Sequence, residues 1–461
     1  MVAKKNLCVL ILAGGQGTRM KSALPKVLHK VCGAPLISHI LREVSLLKPA
    51  GIGILTGHQS DFVKETIKNN LSSWGIKTLV EFLLQKNLTG SGTAVKDSLS
   101  FIKKYDQVLI LAGDAPLITA EVLKKLVKYH KAKNPNCTVL SVIQPNPFGY
   151  GRIVKNEKGL FKEIVEQAHT DAKTAAIKEV NSGIYIFEVK PLTKALGKLK
   201  PQGPKHEYYL TDTLAMFDKT EVMSEQDYIC AMGINSKAQL AQAQALMQER
   251  INKKHLDNGV IIINPSATYI SAQAKIGQDS VIYPNTFIEG NTVIGQNCII
   301  EPSNWIINST ISDNCHIKSG CYVEESSLAN NCQIGPYAHL RPKSILKEKV
   351  KSGNFIEIKN SVIGEGSKVP HLTYIGDCQM GKNVNVGAGS ITCNYDGKNK
   401  HQTIIGDNVF VGSNTNFVAP VKVEDNAKIA AGSTITQNIP EGVLAIARNR
   451  QVNLDKKGKK K

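Results

Sequence analysis

No apolar run in this chain approaches the ~20 residues a membrane-spanning helix requires. The one candidate leader, basic Met1–Lys5 followed by Leu7–Ala13, is too short, has no small-residue cleavage pattern and runs straight into glycines. It reads as a buried first strand rather than a signal peptide. The chain is therefore expected to be soluble and cytoplasmic. Its ten cysteines include no Cys-x-x-Cys pair, which argues against a zinc ribbon or a thioredoxin-like site. Cys315 and Cys321, six apart, could form a disulfide, but buried free thiols suit a reducing compartment better. Acidic residues are few, 38 against 57 Lys and Arg, leaving a formal charge of +19. Such an excess invites a nucleic-acid reading. Yet there is no helix-turn-helix, finger or RNP-like aromatic pattern. Part of the charge lies in the terminal Lys456–Lys461 run, and anionic small substrates account for the rest.

With 42% hydrophobic and 21% charged residues, the 461-residue chain is globular, and its length suggests two or three domains. In the first half, short apolar runs alternate with helical stretches. Leu7–Ala13, Gly53–Thr56, Val108–Ala112, Thr138–Ile143 and Gly183–Phe187 are expected strands; Leu36–Leu47, Asp61–Asn69 and Ala120–Lys131 are expected helices. That alternation predicts a mainly parallel sheet with helices on both faces, a Rossmann-like α/β domain over residues 1–235. Residues 236–258 follow as a linker helix, free of Gly and Pro from Ser236 to Asp257 and stopped by Asn258–Gly259.

From residue 259 to 461 a period of six governs. Ile270, Ile276, Ile282, Ile288, Ile294, Ile300 and Ile306 recur in strict register, and after slips the pattern returns, ending with Ile405, Val411, Phe417, Val423, Ile429 and Ile435. A coil of short strands with one inward apolar side chain each explains this spacing, and three hexapeptides make one triangular turn. Ala267–Asn438 would then build roughly nine coils, ~43 Å long at the strand spacing of ~4.8 Å. Two stretches break the period, Arg341–Lys351 and Asn394–Gln402. Both are expected to be loops on one face of the solenoid.

The first strand leads into Leu12-Ala13-Gly14-Gly15-Gln16-Gly17-Thr18-Arg19-Met20 and then Leu24-Pro25-Lys26. A glycine turn after a strand lets backbone N–H groups approach phosphates, and Arg19 and Lys26 add cations where phosphoryl transfer gathers negative charge. The spacing fits neither a dinucleotide-binding G-x-G-x-x-G nor a Walker loop. Asp114, at the end of an apolar strand, and Asn235, before the long helix, read on their residues alone as helix N-caps ahead of metal ligands.

Gly14–Lys26 resembles the signature of sugar-nucleotide pyrophosphorylases. From Asn6 to about Gln451 the chain resembles the bacterial bifunctional N-acetylglucosamine-1-phosphate uridyltransferase/glucosamine-1-phosphate acetyltransferase family. The segments His371-Leu372-Thr373-Tyr374 and Thr392-Cys393-Asn394-Tyr395-Asp396-Gly397 are the specific marks in the second half. The resemblance implies that the solenoid is a left-handed parallel β-helix and that the protein is a homotrimer. It implies acetyl transfer from acetyl-CoA to glucosamine 1-phosphate, then uridylyl transfer from UTP to N-acetylglucosamine 1-phosphate with release of pyrophosphate, assisted by Mg²⁺.

For the uridylyltransferase it implies roles for Leu12, Ala13, Gly14, Gly15, Arg19 and Lys26 around the phosphates. Gln85, Gly90, Ser91, Ala112 and Gly113 would contact the nucleotide; Gly149, Glu166 and Asn181 would read the sugar; Asp114 and Asn235 would bind the metal. For the acetyltransferase it implies His371 as the base, with Arg341, Lys359, Tyr374 and Asn385 holding the sugar phosphate. Ala388, Asn394, Tyr395, Ser413, Ala431 and Arg448 would line acetyl-CoA. Histidine suits the base because its ordinary pKa lies near operating pH. Four positions depart from the family pattern: Gly90-Ser91-Gly92-Thr93 for Gly-Thr-Gly-His, Ala112 for Tyr, Pro370 for Gly and Lys343 for Gly. The alternative, a single-activity pyrophosphorylase with a non-catalytic β-helix, would lack His371 and the Asn394–Tyr395 pair, and both are present.

Overall fold

A computed structural model describes residues 6–202 and 206–458; the basic Met1–Lys5 start and the last three lysines of the terminal run lie outside them. Contacts divide the chain into two compact units, 1–247 and 248–461, with the division inside the helix Lys237–Asp257.

The first unit is built on a nine-stranded sheet. Its main path runs Thr220–Glu225, Cys137–Ile143, Glu179–Glu188, Gln107–Ala112, Leu7–Ala13, Gly51–Thr56, Val80–Leu84. Every neighbour pair on that path is parallel except those made by Glu179–Glu188, which is antiparallel to both neighbours. Alternation in Leu7–Ala13 shows why the sheet is covered on both sides. Val9 and Ile11 pack with Ile37, Ile40 and Leu126 on one face, while Cys8 and Leu10 pack with Phe101, Ile102 and Leu192 on the other. Strands at Val80–Leu84 and Thr220–Glu225 and the hairpin Arg152–Lys155/Phe161–Val165 were not evident from periodicity, because their residues are mostly half-buried and mixed in polarity.

The second unit is a left-handed parallel β-helix whose strands are mostly two or three residues long. The isoleucine register is its core: Ile270, Ile288, Ile306, Val323 and Leu340 stack rung on rung, all buried. Corners are turned by residues at φ near +60°, most often asparagine, which tolerates the left-handed region better than other non-glycine residues. At the start of this unit the Asn252 carboxamide donates to the carbonyls of Pro265 and Thr268, at 2.7 and 3.0 Å, satisfying backbone that no earlier rung can pair.

The expected loop at Arg341–Lys351 is not a loop. Ile345–Leu346 is an ordinary strand, parallel to Ser327–Leu328 and to Val362–Ile363. The period of six in fact holds there: Ile334, Leu340, Leu346, Ser352 and Ile358 lie six apart, and the stretch reads as a break because a buried serine takes one inward position. Asn394–Gln402 is a true excursion, closed by an antiparallel bridge between Tyr395 and Lys400. Cys315 and Cys321 are free and buried.

Candidate active sites

The first site lies where the sheet reverses its strand order. After Leu7–Ala13 the chain adds strands on one side, then crosses to place Gln107–Ala112 on the other, with Leu12 opposite Ala112. Carboxyl ends of parallel strands at such a switch point leave a crevice for ligands. Here the crevice joins the glycine turn to Gly113-Asp114, and the Gly113 N–H donates to the Leu12 carbonyl at 2.8 Å. Gly17 is sterically required, and Gly14 can be filled only if the Gln85 side chain moves. A Cβ on Gly14 would collide with the Gln85 carboxamide, and Gly17, at φ +63°, would bring one within 2.9 Å of Lys26 Cβ.

Lys26, Asp114 and Asn235 converge. The Lys26 ammonium donates to the Asp114 carboxylate and, at 3.1 Å, to Asn235 Oδ1, with the Lys26 and Asp114 side chains only 15% and 14% exposed. Neither Asp114 nor Asn235 is spent as a helix cap. Thr119 caps the helix Ala120–Lys133, and Ser236 Oγ accepts from the Gln239 N–H at the start of Lys237–Asp257. A carboxylate and a carboxamide oxygen around one cation fit Mg²⁺, which takes few protein ligands and fills its octahedron with waters and phosphate oxygens. Among the described residues there is no cluster of three His, Cys, Asp or Glu that would make a denser metal site.

Elsewhere in this unit, Gly90 at φ +113° packs against the Tyr208 backbone, and Ser91 Oγ accepts from the Leu210 N–H at 3.0 Å. Gly149 donates to Gln167 Oε1 at 2.8 Å, and the Asn181 N–H donates to the Gly151 carbonyl. The Glu166 carboxylate accepts from Thr211 Oγ1 at 3.3 Å, and burial raises its pKa above the ordinary carboxyl value against that hydrogen bond. Tyr208 and Thr211 were missed in the sequence because they sit in an irregular segment without periodicity. Arg19 stands exposed in the single turn Thr18–Met20 and, among the described residues, makes no side-chain hydrogen bond or ion pair to these groups.

In the second unit, the order of rungs gathers residues far apart in sequence. The backbone pairing His371–Gly389, Ala388–Asn414 and Ser413–Gly432 puts His371, Ala388, Ser413 and Ala431 in one column just before a corner. Arg448 lies beside its far end, with Cδ 3.8 Å from where a Cβ on Gly432 would stand. At ~4.8 Å per rung the column runs about 14 Å, enough to lay out an extended thioester arm.

After the corner come Tyr374, paired across the rungs with Glu357, and the cations Arg341 and Lys359. Arg341 is tied to Glu357 at 2.7 Å. Lys400, from the Asn394–Gln402 excursion, stands against Lys359 and holds its ammonium below the ordinary range. Three cations so close together suit a phosphate dianion. Lys400 escaped the sequence reading because an excursion carries no register. Asn394 is buried, hydrogen-bonded to Asp377 and 3.5 Å from Tyr374 Oη, whereas Tyr395 is exposed. Asn385 stands on the preceding face beside Lys368 and makes no side-chain hydrogen bond to these groups among the described residues.

Family models for a nucleotidyl transferase match residues 8–230, for a GMPPB C-terminal domain 258–356, and for six bacterial transferase hexapeptide repeats 402–437. Across 454 residues the chain is 47% identical to the bifunctional protein GlmU of Caldanaerobacter subterraneus subsp. tengcongensis, covering 97% of each. It is 44% identical over 456 residues to the protein of the same name from Shouchella clausii, covering 98% of each. The counterpart from Listeria monocytogenes serotype 4a is 44% identical over 96% of each chain. With such relatives along nearly its whole length, and both crevices built, the chain belongs to the family of bifunctional GlmU proteins.

Proposed function

We propose that Lys26, Asp114 and Asn235 form the phosphate and metal centre of the uridylyltransferase, and that His371 is the base of the acetyltransferase. The enzyme is bifunctional: it acetylates glucosamine 1-phosphate with acetyl-CoA, then transfers uridylyl from UTP to the N-acetylglucosamine 1-phosphate so made. The meeting of three side chains as much as 209 residues apart, at a strand-order reversal, carries the reading of the first site.

In the first reaction the amine of glucosamine 1-phosphate attacks the thioester carbonyl. A C–N bond forms, the C–S bond breaks, and coenzyme A leaves with its thiol. His371 accepts the proton that the ammonium must shed, while Arg341, Lys359 and Lys400 hold the phosphate. In the second, a phosphate oxygen of N-acetylglucosamine 1-phosphate attacks the α-phosphorus of UTP, and the α–β bond breaks to release pyrophosphate. The protein works by positioning and charge neutralisation: Lys26 and the glycine-turn amides face the phosphates, and Glu166 and Asn181 orient the sugar. Mg²⁺, when held by Asp114 and Asn235, adds charge neutralisation at the phosphate oxygens.

We place the protein in the cytoplasm as a homotrimer. Its mostly buried cysteines without disulfides, the hexapeptide match and the partly exposed stack Tyr269–Phe287–Trp305 on the β-helix, with ring centroids 4.6 and 5.0 Å apart, support this. The decisive assay supplies glucosamine 1-phosphate, acetyl-CoA, UTP and Mg²⁺ and follows thiol and pyrophosphate separately. His371→Ala should abolish thiol release and keep pyrophosphate release from N-acetylglucosamine 1-phosphate; Asp114→Ala should do the reverse. Loss of both activities in either well-folded variant would refute the assignment of two separate sites.

A further inference from the structure

The column that carries His371 continues one rung towards the N-terminus, and there it holds Asn354. The strands Lys351–Lys359 and Lys368–Gly376 run parallel with Asn354 opposite His371, and Asn354 Oδ1 lies 2.8 Å from His371 Nδ1. On the other side stands Ala388, whose side chain is too small to reach the ring. The imidazole is therefore held from one side and open on the other. A carboxamide oxygen can only accept, so Nδ1 carries the hydrogen and the Nε2 lone pair is free.

The nearby carboxylates are otherwise engaged. Glu357 is bound to Arg341 at 2.7 Å, and Asp377 accepts from the carboxamides of Asn360 and Asn394. Lys351 and Lys368 stand three residues before Asn354 and His371 on the preceding face, and Lys359 and Lys400 lie beyond the corner.

We propose that Asn354 is the positioning residue for acetyl transfer. It selects the His371 tautomer whose Nε2 takes the substrate's proton, and it keeps accepting from Nδ1–H when the ring becomes imidazolium. The inference rests on His371 being the base. A neutral partner orients the ring without adding the negative charge that would favour the protonated, inactive form.

Three variants test it: Asn354→Ala, Asn354→Asp and His371→Ala, with thiol release measured from pH 5.5 to 9.5. Asn354→Ala should lower kcat about 10–100-fold, as loss of a ligand-orienting partner does elsewhere. KM for acetyl-CoA and for glucosamine 1-phosphate should stay within about twofold, since the contact removed is the one to the His371 ring. Asn354→Asp keeps the acceptor but adds charge. It should retain most of the alkaline rate, with the acid limb of kcat/KM moved to higher pH by about one unit. A purely structural role would alter melting temperature and KM and leave that limb in place. Uridylyl transfer and melting temperature, unchanged, establish that each variant is folded. Acetyl transfer surviving in His371→Ala would overturn the base assignment and this inference with it. An inactive His371→Ala together with an unmoved limb in Asn354→Asp, or full kcat in Asn354→Ala, would overturn this inference alone.

Discussion

Gly376 offers a clean perturbation of the acetyltransferase site. It closes the strand Lys368–Gly376 with no positive φ, so alanine fits the backbone, and replacing a strand glycine by alanine stabilises by roughly 0.5–1 kcal/mol. The added methyl, however, would stand 2.7 Å from both Asn394 Nδ2 and Tyr374 Cζ and closer still to Tyr374 Oη. Carbon atoms rest at about 3.5–4.0 Å, so the Tyr374 ring must withdraw by about 1 Å and take the Asn394 carboxamide with it. Misplacement by about 1 Å costs a reaction on the order of 10²-fold. Gly376→Ala should therefore lower kcat/KM for acetyl transfer about a hundredfold while melting no earlier than the native protein. Thiol release on acetyl-CoA titration, with pyrophosphate release as internal control, measures it. Acetyl transfer within threefold of native would refute the argument, because Tyr374 and Asn394 would then have no role that depends on their position.

Other expectations follow from burial and charge. Phe417, fully buried in the inward column between Thr392 and Ile435, should cost about 3–5 kcal/mol when cut to alanine, read as a lowered denaturation midpoint; a loss under about 1 kcal/mol would mean the column collapses to fill the space. Because burial raises the Glu166 pKa, its carboxylate costs stability at neutral pH. That penalty is absent below the ordinary value of 4.5 and fully present above the raised one. Glu166→Gln should thus melt higher than native near pH 8, with the gap closing towards pH 4, and should raise KM for N-acetylglucosamine 1-phosphate. A gap that widens in acid would reverse the sign of this reasoning. Lys26→Ala should depress kcat for pyrophosphate release far more than KM for the sugar phosphate, and leave thiol release at the native rate.

Much of this protein could be read from its residues alone. Seven isoleucines six apart point to one solution, because a helix spreads such residues around its axis and an ordinary strand would make every second residue apolar, whereas a triangular coil turns one per short strand inward. The glycine turn after Leu7–Ala13 likewise marks a phosphate crevice, since only a strand end open to solvent can present its amides that way. Tertiary structure decided which side chains meet. Asp114 and Asn235 read more readily as caps than as ligands by themselves, but Thr119 and Ser236 hold the caps of the two helices. Arg341–Lys351 looked like an insertion because its lysines and the inward Ser352 mask a period of six that only strand pairing reveals. The column Asn354, His371, Ala388, Ser413, Ala431 has no constant spacing in sequence. Its members become neighbours because backbone hydrogen bonds between rungs, and not the count of residues, set who stands above whom.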